Sequence, residues 1–493
     1  MPDNFHDLFD TLDGTGLAEL VRDGQASPTE LLETAIERLE RVDCLNAVAE
    51  KRFDAARASA AAMQADMAAS RTGASSPFVG VPTLIKDLFS PLHGARMTNG
   101  SRAQGDVRMD FDCEVVARLR RAGCLFIGTS TSPEFGTSYT TESSRFGNTA
   151  NPWNTQHSAG GSSGGAAALV AARAVPFAHG NDGGGSLRVP ASCCGVFALK
   201  PSRGRMPSGP MVGEGWAGMG TPHAITLSVR DSAALLDATS GADLGAPYAA
   251  PWQAEPFMRA LDRDPAPLHI ALVEQLGPWP TQPHALEAVH HAARLCEQLG
   301  HQIELIRLPV DLLGTLNHIF DIVAASTKEY IDMLGQLRGR PVHDAELEPR
   351  TRIMLRERGD ISGARYVASV NALHSLGRTL ATVLTRHDLI LTPTLTREPP
   401  ALGTLDAFDD TLSLNQVIEQ FHSYSPFTAL FNASGQPAMS VPLYWTPTGL
   451  PIGAHFAARF GEESTLLSLA AQLERAHPWR HRIPPVNACD TVR

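Results

Sequence analysis

Residues 160–195 read GGSSGGAAALVAARAVPFAHGNDGGGSLRVPASCCG, and this stretch decides how the rest of the chain is understood. It holds two serine-bearing glycine loops. The first is Gly160-Gly161-Ser162-Ser163-Gly164-Gly165, and the second is Asn181-Asp182-Gly183-Gly184-Gly185-Ser186. Between them, 163–173 reads as an alanine-packed helix and 175–178 as a strand leading into the second loop.

Outward from this stretch, strand and helix patterns alternate. Residues 78–85 read as a short strand ending at Lys86-Asp87, 113–122 as a helix and 124–128 as a buried strand. Further on, 231–240 reads as a helix with Asp231 as its cap. Residues 269–273, 284–299 and 302–308 form another strand–helix–strand unit, 387–391 and 438–443 add strands, and 463–476 is a late helix. At the other end, 17–42 reads as a helix with a capping box, Ser27-Pro28-Thr29-Glu30, and 54–70 as a second, alanine-rich one. Repeated β-α-β alternation predicts an α/β sandwich with a mostly parallel or mixed sheet. The Pro/Gly clusters at 201–222 and 392–404 read as surface loops. One large unit is therefore expected: N-terminal helices (1–75), a core (76–240), and a less regular region (310–425) forming a helical cap over the site.

Composition excludes several classes. The 493 residues carry 41 Lys+Arg against 52 Asp+Glu, a net charge of −11, which disfavours nucleic acid or an anionic membrane as the main partner. No apolar run reaches the ~18–20 residues that span a bilayer. The acidic start, residues 1–10, does not read as a secretory signal. Seven scattered cysteines with no CxxC pair argue against a disulfide framework or a zinc site, so a cytoplasmic location is expected. Cys193 and Cys194 read as buried packing residues, and His290-His291, His477 and His481 as surface histidines rather than metal ligands.

The glycine loops match neither the phosphate loop nor the dinucleotide fingerprint. Residues 160–164 fit G-x-S-x-G, but that elbow must leave a buried strand, and 149–157 are polar with a proline. Tight turns alone would explain one glycine pair less awkwardly than two serine loops and a lysine. Acyl transfer explains all three. A serine hydroxyl needs a base to become nucleophilic, a lysine serves if burial lowers its pKa, and a run of glycine amides can point N–H groups at an oxyanion.

These residues resemble the amidase signature family. Lys86, the Gly-Gly-Ser162-Ser163-Gly-Gly loop, and Asp182-x-Gly-Gly-Ser186-Leu-Arg188-x-Pro190 carry the likeness, with 24 residues from Ser162 to Ser186. Gly80-Val81-Pro82, 128–136, 194–201, 434–438 and 449–453 extend it over about 20–480. The resemblance implies one amidase-signature fold, a central mixed β-sheet flanked by helices. It implies Ser186 as nucleophile, Ser162 as a bridging serine after a cis peptide bond, and Lys86 as base. Gly183, Gly184 and Gly185 would line the oxyanion hole, and Ser163, Asp182 and Arg188 would brace the loops. Gly183 departs from the family, where Thr or Ile is usual, which suggests a looser loop or a wider pocket.

Within the family, His179-Gly180-Asn181-Asp182, Arg203-Gly204-Arg205, Gly339-Arg340-Pro341 and His477-Pro478-Trp479 resemble the branch of nylon-oligomer cyclic-dimer hydrolases. The resemblance implies hydrolysis of small or medium apolar amides, linear or cyclic, with anilides, esters or carbamates within range. No cofactor or metal is implied, and a homodimer is common among relatives. A glutamine-amidotransferase A-type subunit and an inactive binding protein of the same fold are the alternatives. The apolar residues Met206, Pro210, Met211, Val212, Trp216 and Met219, with Phe320, Tyr330 and Phe421, are candidates for the pocket wall.

Overall fold

A computed structural model describes residues 5–70, 76–405 and 408–489. The first four residues of the acidic start, the end of the 1–75 segment, and two positions of the 310–425 region lie outside these.

Two sheets organise the chain. The larger has eight strands in the order Gln302–Leu305, His269–Leu272, Leu389–Pro393, Pro451–Ala458, Ala438–Trp445, Phe197–Lys200, Thr221–Thr226 and Phe177–Asp182. Only the first two pairings are parallel and the rest are antiparallel, so the sheet is mixed rather than mostly parallel. The smaller sheet places Leu125–Ser130 between Val48–Lys51 and Pro82–Lys86. Its strand Pro82–Lys86 lies against the edge strand Phe177–Asp182 without a backbone ladder. Side chains join them: the Thr83 hydroxyl donates to the Phe177 carbonyl (2.9 Å), and the Lys86 N–H to His179 Nδ1 (3.4 Å). The larger sheet's helices include Pro283–Gln298 and Glu463–Ala476; a large apolar core runs through both sheets, and a small separate cluster gathers Ala103, Phe135, Ile331, Leu334 and Leu347.

Several sequence expectations shift in position. The first helix is two, Gly14–Arg22 and Pro28–Arg41, and the predicted capping box starts the second. Ser228, not Asp231, caps Val229–Thr239; the Asp231 carboxylate instead accepts the N–H groups of Gly14 (2.6 Å) and Thr15 (2.8 Å), tying the N-terminal helix down. The strand predicted at 175–178 runs on to Asp182, because all six of its residues pair with Thr221–Thr226, a strand that its Pro/Gly surroundings disguised as a surface loop. Residues 392–396 are likewise buried, not a surface loop.

Between Leu312 and His422 the chain forms four α-helices, Leu312–Arg338, Pro349–Arg358, Gly363–Val383 and Leu414–His422, interrupted by the sheet strand Leu389–Pro393. The helix Pro349–Arg358 is pinned to the core by Glu134, whose carboxylate accepts the Glu348 N–H (2.8 Å) and the Thr351 hydroxyl (2.7 Å).

Candidate active site

The helix after the first glycine loop, Gly164–Ala171, is buried on every side. Its glycines are there for closeness: a Cβ on Gly165 would lie 2.5 Å from Thr131 Oγ1, and one on Gly164 2.4 Å from Thr141 Oγ1. Gly161 is pressed as hard, with a Cβ position 2.4 Å from the Thr140 carbonyl oxygen. The peptide bond from Gly161 to Ser162 is cis.

Lys86 ends its strand fully buried, with Nζ 2.8 Å from Ser162 Oγ and 2.7 Å from Asn181 Oδ1. Burial holds this amine well below the ordinary lysine pKa, with the Asp182 charge pulling weakly the other way. The Asn181 amide is oriented by its own Nδ2, which donates to the Leu88 carbonyl (2.8 Å), so Oδ1 faces Lys86 as an acceptor. A Lys86 N–H therefore goes to Asn181, and a neutral amine can turn its lone pair toward the Ser162 hydroxyl. Asn181 was quoted in the sequence only as part of a motif, and nothing there revealed this role.

Ser186 is 6% exposed and stands on the second loop. The loops are tied by Ser163, whose N–H donates to the Ser186 carbonyl (3.2 Å) and whose hydroxyl donates to the Asn181 carbonyl (3.2 Å). The Asp182 carboxylate accepts the N–H groups of Gly185 (2.7 Å) and Leu187 (3.1 Å) and the Nε–H and Nη2–H on one edge of the Arg188 guanidinium (2.9 Å each). Burial alone would raise this carboxyl, but Arg188 outweighs it and holds it well below the usual carboxylate range. Gly185 is thus corrected as an oxyanion donor, since its N–H is already spent on Asp182. Its φ of +139° is one that a side chain rarely adopts, which explains the residue. Among the described residues no acceptor takes the N–H of Gly183, Gly184 or Ser186. The Gly184 carbonyl is fixed by the hydroxyls of Tyr139 (3.0 Å) and Thr428 (2.7 Å).

The apolar candidates separate. Met206 and Met219 are core residues, Met211 and Val212 are exposed, and Trp216 lies on Gly183. Phe421 packs edge-on to Tyr139 and Phe320 edge-on to His422, which itself meets Tyr139. Tyr330 packs instead on Phe89 and Phe135. Cys193 and Cys194 are fully buried, and burial pushes the Cys193 thiol up to about 12. His291 and His477 are half-buried and stack edge-on rather than standing free on the surface. No helix among the described residues is long and apolar enough to cross a membrane.

This arrangement, a buried lysine on a cis serine beside a glycine loop bearing a second serine, defines a class of hydrolase, and comparison with known proteins agrees. A family profile described as Amidase matches residues 30–467, and the chain belongs to the amidase signature family. Over 96% of both chains it is 36% identical to the 6-aminohexanoate-cyclic-dimer hydrolase of Pseudomonas sp. (strain NK87) and 37% identical to that of Paenarthrobacter ureafaciens. A solved structure of 6-aminohexanoate cyclic dimer hydrolase superposes with a TM-score of 0.89 at 35% identity, covering 97% of this chain and 99% of that one. A bacterial aryl acylamidase structure does so with a TM-score of 0.86 at 29% identity, covering 95% and 96%. The protein is an amidase, and its central mixed sheet flanked by helices is the fold of that family.

Proposed function

We propose that this amidase works through Ser186 as nucleophile, Ser162 as proton bridge and Lys86 as base. The observation that carries this reading is the 2.8 Å contact between the buried Lys86 amine and Ser162. A neutral Lys86 takes the Ser162 proton, Ser162 takes that of Ser186, and Ser186 Oγ attacks the amide carbonyl. The N–H groups of Gly183, Gly184 and Ser186 receive the developing oxyanion. Ser162 returns a proton to the leaving amine, and water, deprotonated along the same path, cleaves the acyl-enzyme.

The substrate class is a small or medium apolar carboxylic amide, linear or cyclic. The names of the relatives support this, one group acting on a cyclic dimer and another on aryl amides, as do the aromatic side chains Tyr139, Phe421 and Trp216 around the second loop. The helices between 312 and 422 serve as the cover of this site. A homodimer is the assembly expected, and sedimentation velocity checks it.

Ser186→Ala should lower hydrolysis of a p-nitroanilide by about a thousandfold or more while leaving the melting temperature within roughly 2 °C. Unchanged hydrolysis would remove Ser186 from the role.

A further inference from the structure

The backbone of Gly183 does not explain why this position is a glycine. Unlike Gly185, it does not lie in the left-handed region. What excludes a side chain is Trp216: a Cβ on Gly183 would stand 2.6 Å from the indole Cζ3 and 2.7 Å from Cε3.

The indole is held there by an unusual turn. Trp216, Ala217 and Gly218 have φ of 52°, 51° and 77°, and the Met219 N–H closes on the Trp216 carbonyl (3.1 Å). L-residues adopt this conformation only where the surroundings impose it. Here Asn432 Nδ2 reaches the Met219 carbonyl (3.1 Å) and both the carbonyl and the carboxylate of Asp182 (2.9 Å each), so one amide fixes the tryptophan turn against the oxyanion loop. Arg203 Nε adds a bond to the Gly218 carbonyl (2.9 Å). Gly183, Gly184 and Trp216 are partly exposed while Gly185 and Ser186 are buried, so the indole, lying on Gly183 three residues before Ser186, stands where the loop meets the surface.

We propose that Gly183 and Trp216 are a steric pair that sets which amides enter. The indole fills the place of a side chain after Asp182 and gives the opening a flat aromatic wall, favouring acyl groups with a methylene chain or ring to lie on it. This rests on Ser186 as the nucleophile.

The test uses wild type, Trp216→Ala, Gly183→Thr and the double variant, with acetyl, hexanoyl and benzoyl p-nitroanilides and the Tm of each protein. Trp216→Ala should lower the hexanoyl-to-acetyl and benzoyl-to-acetyl ratios of kcat/KM by roughly tenfold or more. Gly183→Thr alone should lose about tenfold on all three substrates and lower Tm by roughly 2 °C, and the double variant should recover both. Gly183→Ala, the smaller change, reports the same order if the threonine protein is not recovered. A Gly183→Thr protein as stable as wild type, or unchanged substrate ratios in Trp216→Ala, overturns the pair. The Tm cycle reads the contact whatever the catalytic roles, whereas hydrolysis that survives Ser186→Ala overturns the nucleophile assignment and leaves the pair standing.

Discussion

Lys86 works as a base only while its amine is neutral, and its surroundings decide that. Burial favours the neutral form, and Asn181 offers an acceptor that carries no charge. Exchanging Asn181 for Asp places a carboxylate at the same distance, which stabilises the ammonium and raises the Lys86 pKa. The acid limb of the kcat/KM profile should therefore move to higher pH by about one unit or more in Asn181→Asp. Asn181→Ser should leave that limb nearer its wild-type position, and pH-rate profiles of the three proteins check this. At this scale the sequence was informative where a motif fixes spacing: Lys86 meets Ser162, Ser163 meets Ser186, and Asp182 meets Arg188. It was silent where partners come from distant segments. Asn432 and Thr428 sit 250 and 244 residues from the Asp182 and Gly184 groups they bind, and no local pattern announces such a contact.

Helices and strands were legible wherever burial and periodicity agree, as in Glu463–Ala476, whose bounds match the reading residue for residue. They were obscured where polar residues are buried, and Thr221–Thr226, with Pro222 and His223, shows why: its strand character comes from pairing with Phe177–Asp182, not from its own alternation. The covering helices depend on similar hidden polar ties. Thr351, fully buried, donates to the same Glu134 oxygen as the Glu348 N–H, so Thr351→Val should cost about 1 kcal/mol of stability by removing one of that oxygen's two hydrogen bonds. Chemical denaturation with urea checks it, and an unchanged midpoint would show the tie to be idle.

For the molecule as a whole, the weak seam is the meeting of the two sheets, because side chains rather than a ladder join them. His179 lies in this seam, fully buried, and burial lowers its pKa to about 3. The unfolded chain binds a proton at this residue below about 6.5, while the folded protein resists it. Between those two values the unfolded state carries more protons, so this residue's contribution to stability is lost as pH falls from about 6.5 toward 3. His179→Gln keeps an acceptor for the Lys86 N–H and removes the titration. Its unfolding free energy should fall less steeply across that window, by up to about 1.4 kcal/mol per pH unit, and denaturation series at pH 6.5, 5.5 and 4.5 measure the slope.

The crowding of Gly161, Gly164 and Gly165 has a consequence for anyone redirecting this amidase by directed evolution. Those positions have no space to offer, so a randomised library over them should return almost no folded clones. Met211 and Val212, exposed on the segment that ends in the tryptophan turn, can vary without touching the machinery. Mutational tolerance in this chain is thus partitioned in advance: the chemistry is frozen by want of room, and new substrate preferences have to be sought in the segments that lean over it.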